Sequence, residues 1–488
     1  MKAHVLFIIL LAIGASLLVM PSKTTVLAKA TETYSVEDGK MINLEAGIVS
    51  KDINGKTYKM YAYDGQIPGP TIRVKKNSTI FINFTNNIDM ETTVHWHGLR
   101  HKNQFDGVPM VTQDPIKPGE NFMYELYFPD TGIYWYHPHV REDIQQEKGL
   151  YGNMLVESEN NSDKEVVLVL DDILIEDGEI SPFRNEFTNF ALMGRFGNTM
   201  LINGKERFDL DVKKGEIVRF YITNTANTRP FNFSIQGVPL KIVGSDMSLY
   251  EKEFFSGGVV IGPAERYIVD VLFNETGTFE MKNINPIKEY LLGTIQVEQN
   301  ESEINYLFST NENKDVMQDI DKYRKYFDKD VDYNLTLTID MNGMVMQMPH
   351  DDETIEWEDT MFDMNRAHNN KMMRWVMQDE VTKKQNMNIT YDVSTNSIKK
   401  IRIYNNPDSD HPMQHTIHLH GQRFLVIEQD GVKKSNLVWK DTVFIPKGSY
   451  VDMLVDFTNP GDWMMHCHIA EHLESGMMMS FKVTEEKL

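Results

Sequence analysis

The chain has 488 residues, a formal net charge of −22 and a sequence pI of about 5.1. Its length is too great for one hydrophobic core and suits about three domains. The acidic balance makes nucleic acid and anionic membranes unfavourable partners. A chain with a single cysteine also has no internal disulfide.

The first predicted element is an export signal. Lys2 precedes an apolar run over residues 5–20, and Ala28-Lys29-Ala30 forms an A-x-A cleavage pattern. The run is shorter than the roughly 20 residues that a membrane-spanning helix needs, and no other segment is apolar enough to span a membrane. We expect residues 1–30 to be removed and the mature protein to be secreted or in the cell envelope, with retention as an uncleaved anchor as the alternative.

After the signal, short runs of alternating apolar and polar residues predict β-strands throughout. The chain also repeats itself. A Pro, a Phe 10 or 11 residues later and a Gly four further on recur at Pro118/Phe128/Gly132, Pro263/Phe273/Gly277 and Pro446/Phe457/Gly461. We predict three β-sandwich domains over residues 31–160, 161–298 and 333–488, with a linker over 299–332.

Histidine doublets mark the two outer domains. His-x-His is expected less than once by chance among 15 histidines, but it occurs at 95/97, 137/139, 418/420 and 466/468. Residues i and i+2 of a strand point to the same face, so each doublet presents two imidazoles to one place. The middle repeat has Ser234-Ile235-Gln236-Gly237 where the outer repeats have a doublet followed by glycine. The outer domains are therefore predicted to bind metal, and the middle domain to have lost its ligands.

The single cysteine lies between the histidines of the last doublet. His472 follows Cys467 by five residues and Met477 by ten. A thiolate, imidazoles and a weakly bound thioether form the ligand set of a blue copper centre. Because the flanking histidines can bind further metal, one peptide segment links an electron acceptor to a second metal site.

In this order, the four doublets and the Cys467 motif resemble those of the multicopper oxidases, the superfamily of laccases, bacterial copper-tolerance oxidases and ascorbate oxidase. The resemblance covers essentially the whole mature chain. It implies an all-β fold of three consecutive cupredoxin-like Greek-key β-sandwich domains. It also implies an oxidase that couples one-electron oxidation of a substrate to four-electron reduction of O2 to water.

The resemblance further implies four copper ions per chain, with ligands carried over motif by motif. The type 1 copper would be bound by Cys467, His415, His472 and axial Met477. The type 2 copper would be bound by His95 and His418. One type 3 copper would be bound by His97, His137 and His468, and the other by His139, His420 and His466.

One motif departs from the family pattern. The family usually has Pro directly after the first ligand histidine of the third domain, whereas Thr416 follows His415 here. The upstream pair His411-Pro412 mimics the motif but has the wrong spacing to His418. We predict His415 as the ligand, with His411 as its rival.

Catalytic roles are predicted for Cys467 and for carboxylates that move protons. Asp106 matches the family's acidic residue near the type 2 copper and is assigned to proton relay or to orientation of the ligands. Many bacterial members have Glu directly after the histidine that corresponds to His472, but Leu473 stands here. Glu471 and Glu474 are the candidate substitutes.

The electron donor is predicted to be a phenol, an aromatic amine or Cu(I). Nine of the 30 methionines lie between residues 341 and 377. Thioethers are soft ligands that suit Cu(I), so this segment is a candidate to gather cuprous ions or to cover the type 1 site. The alternative is that these methionines fill apolar surface.

Two other functional classes fit the sequence less well. A copper nitrite reductase also has cupredoxin domains and blue copper, but it needs far fewer histidines. A copper-binding or storage protein has no use for a thiolate that is joined through the backbone to two further metal ligands.

Overall fold

The computed structural model describes residues 26–157, 162–300, 308–343 and 353–485. Most of the predicted signal, residues 1–25, lies outside these ranges. Within them, no helix is long and apolar enough to cross a membrane. The prediction of an all-β chain is confirmed, because strands dominate the described ranges and the four α-helices found there are short.

Alternation in the sequence explains individual strands. In the strand Thr79–Asn86, every second side chain is buried, and Ile80, Ile82 and Phe84 are wholly inaccessible. The strand Tyr333–Asp340 has the same pattern. A period of two places the apolar side chains on one face, which packs against a second sheet.

The first domain consists of two five-stranded sheets. The strand order of one sheet is β1-β3-β6-β8, with β4 paired to β3, and that of the other is β2-β5-β10-β9-β7. The elements are β1 (Val26–Leu27), β2 (Thr33–Ser35), β3 (Met41–Ile53), β4 (Lys56–Tyr63), β5 (Thr71–Lys75), β6 (Thr79–Asn86), β7 (His95–His97), β8 (Asn121–Tyr127), β9 (Gly132–His137), α1 (Glu142–Gln145) and β10 (Gly152–Glu157), with a 3-10 turn at Asn103–Phe105.

The middle domain has the sheets β14-β11-β16-β21-β18-β19 and β15-β23-β22-β17-β20, and the hairpin β12-β13. Its strands are β11 (Lys164–Ile173), β12 (Ile175–Glu176), β13 (Glu179–Ile180), β14 (Thr199–Ile202), β15 (Leu210–Lys213), β16 (Ile217–Asn224), β17 (Phe231–Ile235), β18 (Leu240–Ser245), β19 (Ser248–Ser256), β20 (Val259–Ile261), β21 (Arg266–Leu272), β22 (Gly277–Ile284) and β23 (Glu289–Glu298).

The third domain has the sheets β25-β24-β27-β32-β29-β30 and β26-β34-β33-β28-β31. Before it lie α2 (Lys314–Asp321) and a 3-10 turn at Arg324–Tyr326. The remaining elements are β24 (Tyr333–Asp340), α3 (Phe362–Ala367), β25 (Arg374–Asp379), β26 (Thr390–Ser394), β27 (Ser397–Asn405), β28 (His415–Leu419), β29 (Arg423–Gln429), β30 (Val432–Lys433), β31 (Thr442–Ile445), β32 (Tyr450–Phe457), β33 (Gly461–Cys467), α4 (Ala470–Glu474) and β34 (Met478–Thr484), with a 3-10 turn at Asn386–Asn388. The exact domain limits remain predictions.

Apolar packing joins the three domains. Leu425 and Trp439 of the third domain and Ile320 of α2 belong to the same buried cluster as the core of the first domain. Residues 191–193 and Phe196 of the middle domain belong to the same buried cluster as the core of the third domain, which includes Cys467. The interfaces are thus continuous with the cores, and histidines at those interfaces are removed from water.

Candidate metal centres

The first half of the histidine cluster is built by β7 and β9. These strands pair antiparallel, with His95 opposite His137 and His97 opposite Trp135. His95 and His97 share a face because they are two residues apart. Trp135 stacks on the His137 ring at 4.2 Å between ring centroids. His139, just beyond the strand, completes a group of four imidazoles on the first domain.

The third domain builds the second half in the same way. Strands β28 and β33 pair antiparallel, with His418 opposite His466 and Ile417 opposite Cys467. His466 and His468 share one face of the chain, and Cys467 points to the other. The cysteine therefore lies on the side of the third-domain core, while its neighbours face the first domain.

The two halves meet face to face. The His97 and His418 rings stack with centroids 3.6 Å apart, and the His95 and His420 centroids are 4.0 Å apart. Three groups of ring nitrogens each lie within 4.8 Å of one another: His95/His97/His418, His97/His137/His468 and His139/His420/His466. All eight histidines are buried. The structure thus brings together every histidine that the sequence assigned to the type 2 and type 3 sites.

The chemistry of these histidines fits metal binding. Among the described residues, His95 Nε2, His139 Nε2 and His418 Nε2 have no hydrogen-bond partner, although each is buried. His420 Nε2 and His466 Nε2 face each other at 2.9 Å. Buried polar atoms without partners are unfavourable unless something else satisfies them. Burial, with His95 nearby, also lowers the pKa of His139 to about 3, which leaves a neutral imidazole able to bind a cation.

A second group surrounds the cysteine. Cys467 Sγ is 3.6 Å from His415 Nδ1 and 3.9 Å from His472 Nδ1, and the two nitrogens are 3.2 Å apart. Burial raises the pKa of the Cys467 thiol to about 12. The protein alone therefore keeps the thiol protonated, and a metal bound there must displace the proton.

Met477 and Trp375 complete this group. The Cys467 amide donates to the Met477 carbonyl at 3.0 Å, and both side chains lie in the third-domain core. Axial ligation by the Met477 thioether remains a prediction. Trp375 stacks on the His472 ring at 4.1 Å and meets the His415 ring edge-on at 4.8 Å. Sequence reasoning missed Trp375, because nothing in its local sequence distinguishes it from a core tryptophan.

His415, not its rival, is the histidine beside Cys467. His411 is buried, and its ring centroid lies 6.4 Å from that of Trp375. Within the described part of the chain, neither ring nitrogen of His411 has a hydrogen-bond partner.

Asp106 lies directly against the cluster. His420 Nδ1 donates to its Oδ2 at 2.9 Å, and His95 Nδ1 lies 3.3 Å from its Oδ1. Burial alone would raise the pKa of Asp106, but His420 and His95 hold it well below its ordinary value. An ionised Asp106 accepts hydrogen bonds, so it orients these rings. Its positioning requires Gly107 (φ +80°), because a Cβ there would lie 2.0 Å from the Val94 carbonyl oxygen.

Glu471 points toward the middle domain. Asn227 Nδ2 and Thr228 Oγ1 each donate to its carboxylate at 3.2 Å, and burial raises its pKa to about 7. Glu142, by contrast, does touch a cluster histidine, with its Oε1 3.2 Å from His139 Nδ1. Glu474 accepts a hydrogen bond from the Glu142 amide at 3.3 Å. Sequence reasoning missed Glu142, although its position three residues after His139 was a usable signal.

Comparisons with known proteins identify the family of the chain. Three family models described as multicopper oxidase match residues 48–161, 165–300 and 309–487. A multicopper oxidase from Staphylococcus aureus is 27% identical over 432 residues, which cover 87% of this chain and 83% of the relative.

Solved structures share the fold. A multicopper oxidase from Campylobacter jejuni, described as a metallo-oxidase, has a TM-score of 0.71 at 23% identity and covers 95% of this chain and 98% of its own. The laccase-like CueO from Ochrobactrum sp., described as having oxidase activity towards lignin model compounds, has a TM-score of 0.74 at 21% identity, with coverage of 94% and 100%. These likenesses bear out the three-domain cupredoxin-like fold.

Proposed function

Because the chain belongs to the multicopper oxidase family, we propose that it oxidises a small donor one electron at a time at the Cys467 site and reduces dioxygen to water at the eight-histidine cluster. The chain is an oxidoreductase, and its family implies copper. One observation carries the finer proposal: eight buried histidines from two domains converge on one interface, and two of them flank the cysteine of the other site.

The proposed ligand sets follow the structural groups. Cys467, His415, His472 and Met477 would hold the type 1 copper. His95 and His418 would hold the type 2 copper, and the sets His97/His137/His468 and His139/His420/His466 would hold the type 3 pair. Bound copper would supply one-electron acceptance at the thiolate site and the electrons for dioxygen at the cluster.

The chain itself supplies the link between the two sites. His466 and His468 are covalent neighbours of Cys467 and face away from its sulfur. The local backbone is held on both sides, since the His468 amide donates to the Thr416 carbonyl at 2.6 Å and His466 Nδ1 donates to the Cys467 carbonyl at 2.8 Å. This segment therefore offers a rigid through-bond route.

Protons would be held by carboxyl groups beside the cluster. Burial, together with Glu474 and Asp143, raises the pKa of Glu142 well above its ordinary value, so Glu142 keeps a proton next to His139. Burial and the neighbouring Asp143 raise the pKa of Glu474 to about 8. We assign proton storage to Glu142 and Glu474, and ring orientation to Asp106. Glu471 remains a third candidate, on the middle-domain side.

The donor is inferred to be small. His472 is wholly inaccessible and is covered by Trp375, which lies in the same buried cluster as residues 191–193 and Phe196 of the middle domain. A bulky phenol has no described path to this ring, so electrons would pass through the packed indole. Cuprous ions fit best, because the net charge of −22 attracts cations and the thioethers of exposed Met364 and half-buried Met361 and Met372 are soft ligands. The predicted export signal supports placing this activity outside the cytoplasm.

A copper analysis and a measurement of oxygen uptake with an electrode together test the proposed function. We expect about four coppers per copper-loaded chain, a blue colour, and oxygen uptake with a donor but no nitrite consumption. Copper removal by a chelator should abolish the colour and the uptake together, because both depend on the same ions. A colourless protein with one copper, or one that consumes nitrite instead of oxygen, contradicts the proposal. Copper binding without oxygen uptake from any donor would support a storage protein.

The choice of donor is tested by methionine substitution. Deleting residues 341–377 would remove Met341, Met373, Trp375 and Met377 from the third-domain core, so point changes are needed. Changing Met361, Met364 and Met372 together to leucine should lower kcat/KM for Cu(I) roughly tenfold, as expected for the loss of about 1.4 kcal/mol of binding. Oxidation of a small phenol should be unchanged.

The matched control changes three exposed methionines of the first domain, Met41, Met110 and Met123, to leucine. It should affect neither donor. Unchanged Cu(I) turnover in the third-domain variant contradicts a role for these three side chains. Met344, Met346 and Met348 lie outside the described residues.

A further inference from the structure

Two adjacent pairs of opposite charge interlock the middle and third domains. Glu265 and Arg266 of the middle domain face Lys440 and Asp441 of the third. Lys440 Nζ lies 3.3 Å from Glu265 Oε1, and Arg266 NH1 donates to Asp441 Oδ1 at 2.6 Å while NH2 donates to its Oδ2. Asp246 is shared, at 3.3 Å from Arg266 and 3.0 Å from Lys440. Arg266 and Asp441 are wholly buried.

The Arg266 guanidinium is held in one orientation. Its Nε donates to the Ile133 carbonyl of the first domain at 3.0 Å, and NH1 donates to the Ala264 carbonyl at 3.1 Å. One side chain of the middle domain therefore contacts all three domains. The guanidinium fork matches a carboxylate bidentately, which fixes the plane of the Asp441 carboxylate as well as its position.

Asp441 in turn orients two cluster histidines by accepting hydrogen bonds from them. His97 Nε2 donates to Asp441 Oδ1 at 3.0 Å, and His418 Nδ1 donates to the Asp441 backbone carbonyl at 2.9 Å. The protons are thus placed on His97 Nε2 and His418 Nδ1. The nitrogens left with lone pairs are His97 Nδ1 and His418 Nε2, and among the described residues these two atoms have no hydrogen-bond partner.

A glycine leaves room for the contact between Arg266 and Asp441. Gly98 follows His97 and has φ +89°, and a Cβ there would lie 2.5 Å from Asp441 Oδ2 and 3.0 Å from Arg266 NH2. Arg266 is the first residue of β21, whereas the corresponding strands of the outer domains, β8 and β32, begin with Asn121 and Tyr450. The charge is thus specific to the repeat that lacks ligand histidines.

We propose that Arg266 is a positioning residue for the metal cluster. By clamping Asp441, the middle domain sets the tautomers and ring orientations of His97 and His418, which lie on opposite sides of the interface between the first and third domains. This role rests on the proposed copper sites. This role gives the middle domain a function at the cluster although it has no ligand histidines. Through Arg266, the middle domain supplies the positive charge that neutralises and holds Asp441.

The test compares Arg266→Met with Lys440→Met. Both variants remove one buried cation from the same interlock, but only Arg266 holds the carboxylate that contacts the histidines. Both should lower the unfolding midpoint of the metal-free protein. Only Arg266→Met should alter the electron paramagnetic resonance signal of the mononuclear copper and weaken copper retention by the cluster, roughly 10- to 100-fold as for other outer-shell partners. The blue absorption should persist in both.

Arg266→Lys keeps the charge without the fork and should recover part of the copper retention. Equal resonance spectra and equal copper retention in Arg266→Met and Lys440→Met would overturn the proposal. Should Arg266→Met fail to fold, Arg266→Lys compared with Lys440→Arg decides by the same two readouts. A wild-type protein that lacks four coppers or the mononuclear signal refutes the proposed function instead, so the two failures are distinguishable.

Discussion

Replacing Cys467 with serine is expected to abolish the blue colour and the oxidation of every donor. The colour depends on the bond between a thiolate and copper, and a hydroxyl cannot replace this soft ligand. Turnover should fall by on the order of 10³ or more, which corresponds to a barrier at least about 4 kcal/mol higher. Absorption spectra and oxygen uptake measure both effects.

The fold should survive this change. The Cys467 side chain is buried, but the backbone amides of Ile469 and Thr416 lie within hydrogen-bond reach of its sulfur and can satisfy a serine oxygen. Burial of the hydroxyl costs about 1–3 kcal/mol at most. The copper count should fall by about one per chain, because the eight-histidine cluster has its own ligands. A variant that is still blue would refute the assignment of Cys467.

Replacing His95 with alanine is expected to separate the two sites. The side chain lies between the His420 and His137 rings, at 4.0 and 5.4 Å, and is absent from the Cys467 group. Its loss leaves the proposed type 2 copper with one histidine. The blue colour should remain and be bleached by a donor, while oxygen uptake falls to background.

His368→Ala is the matched control for this variant. His368 is half-buried and belongs to neither group, with Nδ1 donating to the Met364 carbonyl at 2.7 Å. Its oxygen uptake should be normal. Normal uptake in the His95 variant would remove His95 from the cluster and would leave the assignment of a type 2 copper without support.

Much of the site could be predicted from local sequence because its ligands come in local patterns. A His-x-His doublet on a strand places both side chains on the same face. The shared faces of His95 and His97 and of His466 and His468 therefore follow from strand periodicity alone. The same reasoning places Cys467 on the opposite face from its neighbours. Choosing His415 over His411 needed the motif spacing, and the structure places His415 in one group with Cys467 and His472.

The supporting residues could not be predicted in this way. Trp375 and Asp441 contact histidines that are distant in sequence, such as Asp441 on His97, 344 residues away. Their own surroundings in the sequence are those of ordinary surface or core positions. Glu471 illustrates the reverse case, since its position beside His472 in the sequence suggested a place near the cluster, whereas its carboxylate contacts Asn227 and Thr228 of the middle domain.

Local sequence was enough to predict the kind of chemistry and the candidate metal-binding side chains, because ligand spacing is set by covalent connectivity and strand geometry. Three properties emerge only in the folded chain: which ring nitrogens of His97 and His418 have no partner among the described residues, which carboxyl groups are buried beside the cluster, and the contact of Arg266 in the middle domain with Asp441. These properties depend on contacts between domains and on the exclusion of water. Neither is encoded in any single stretch of the chain.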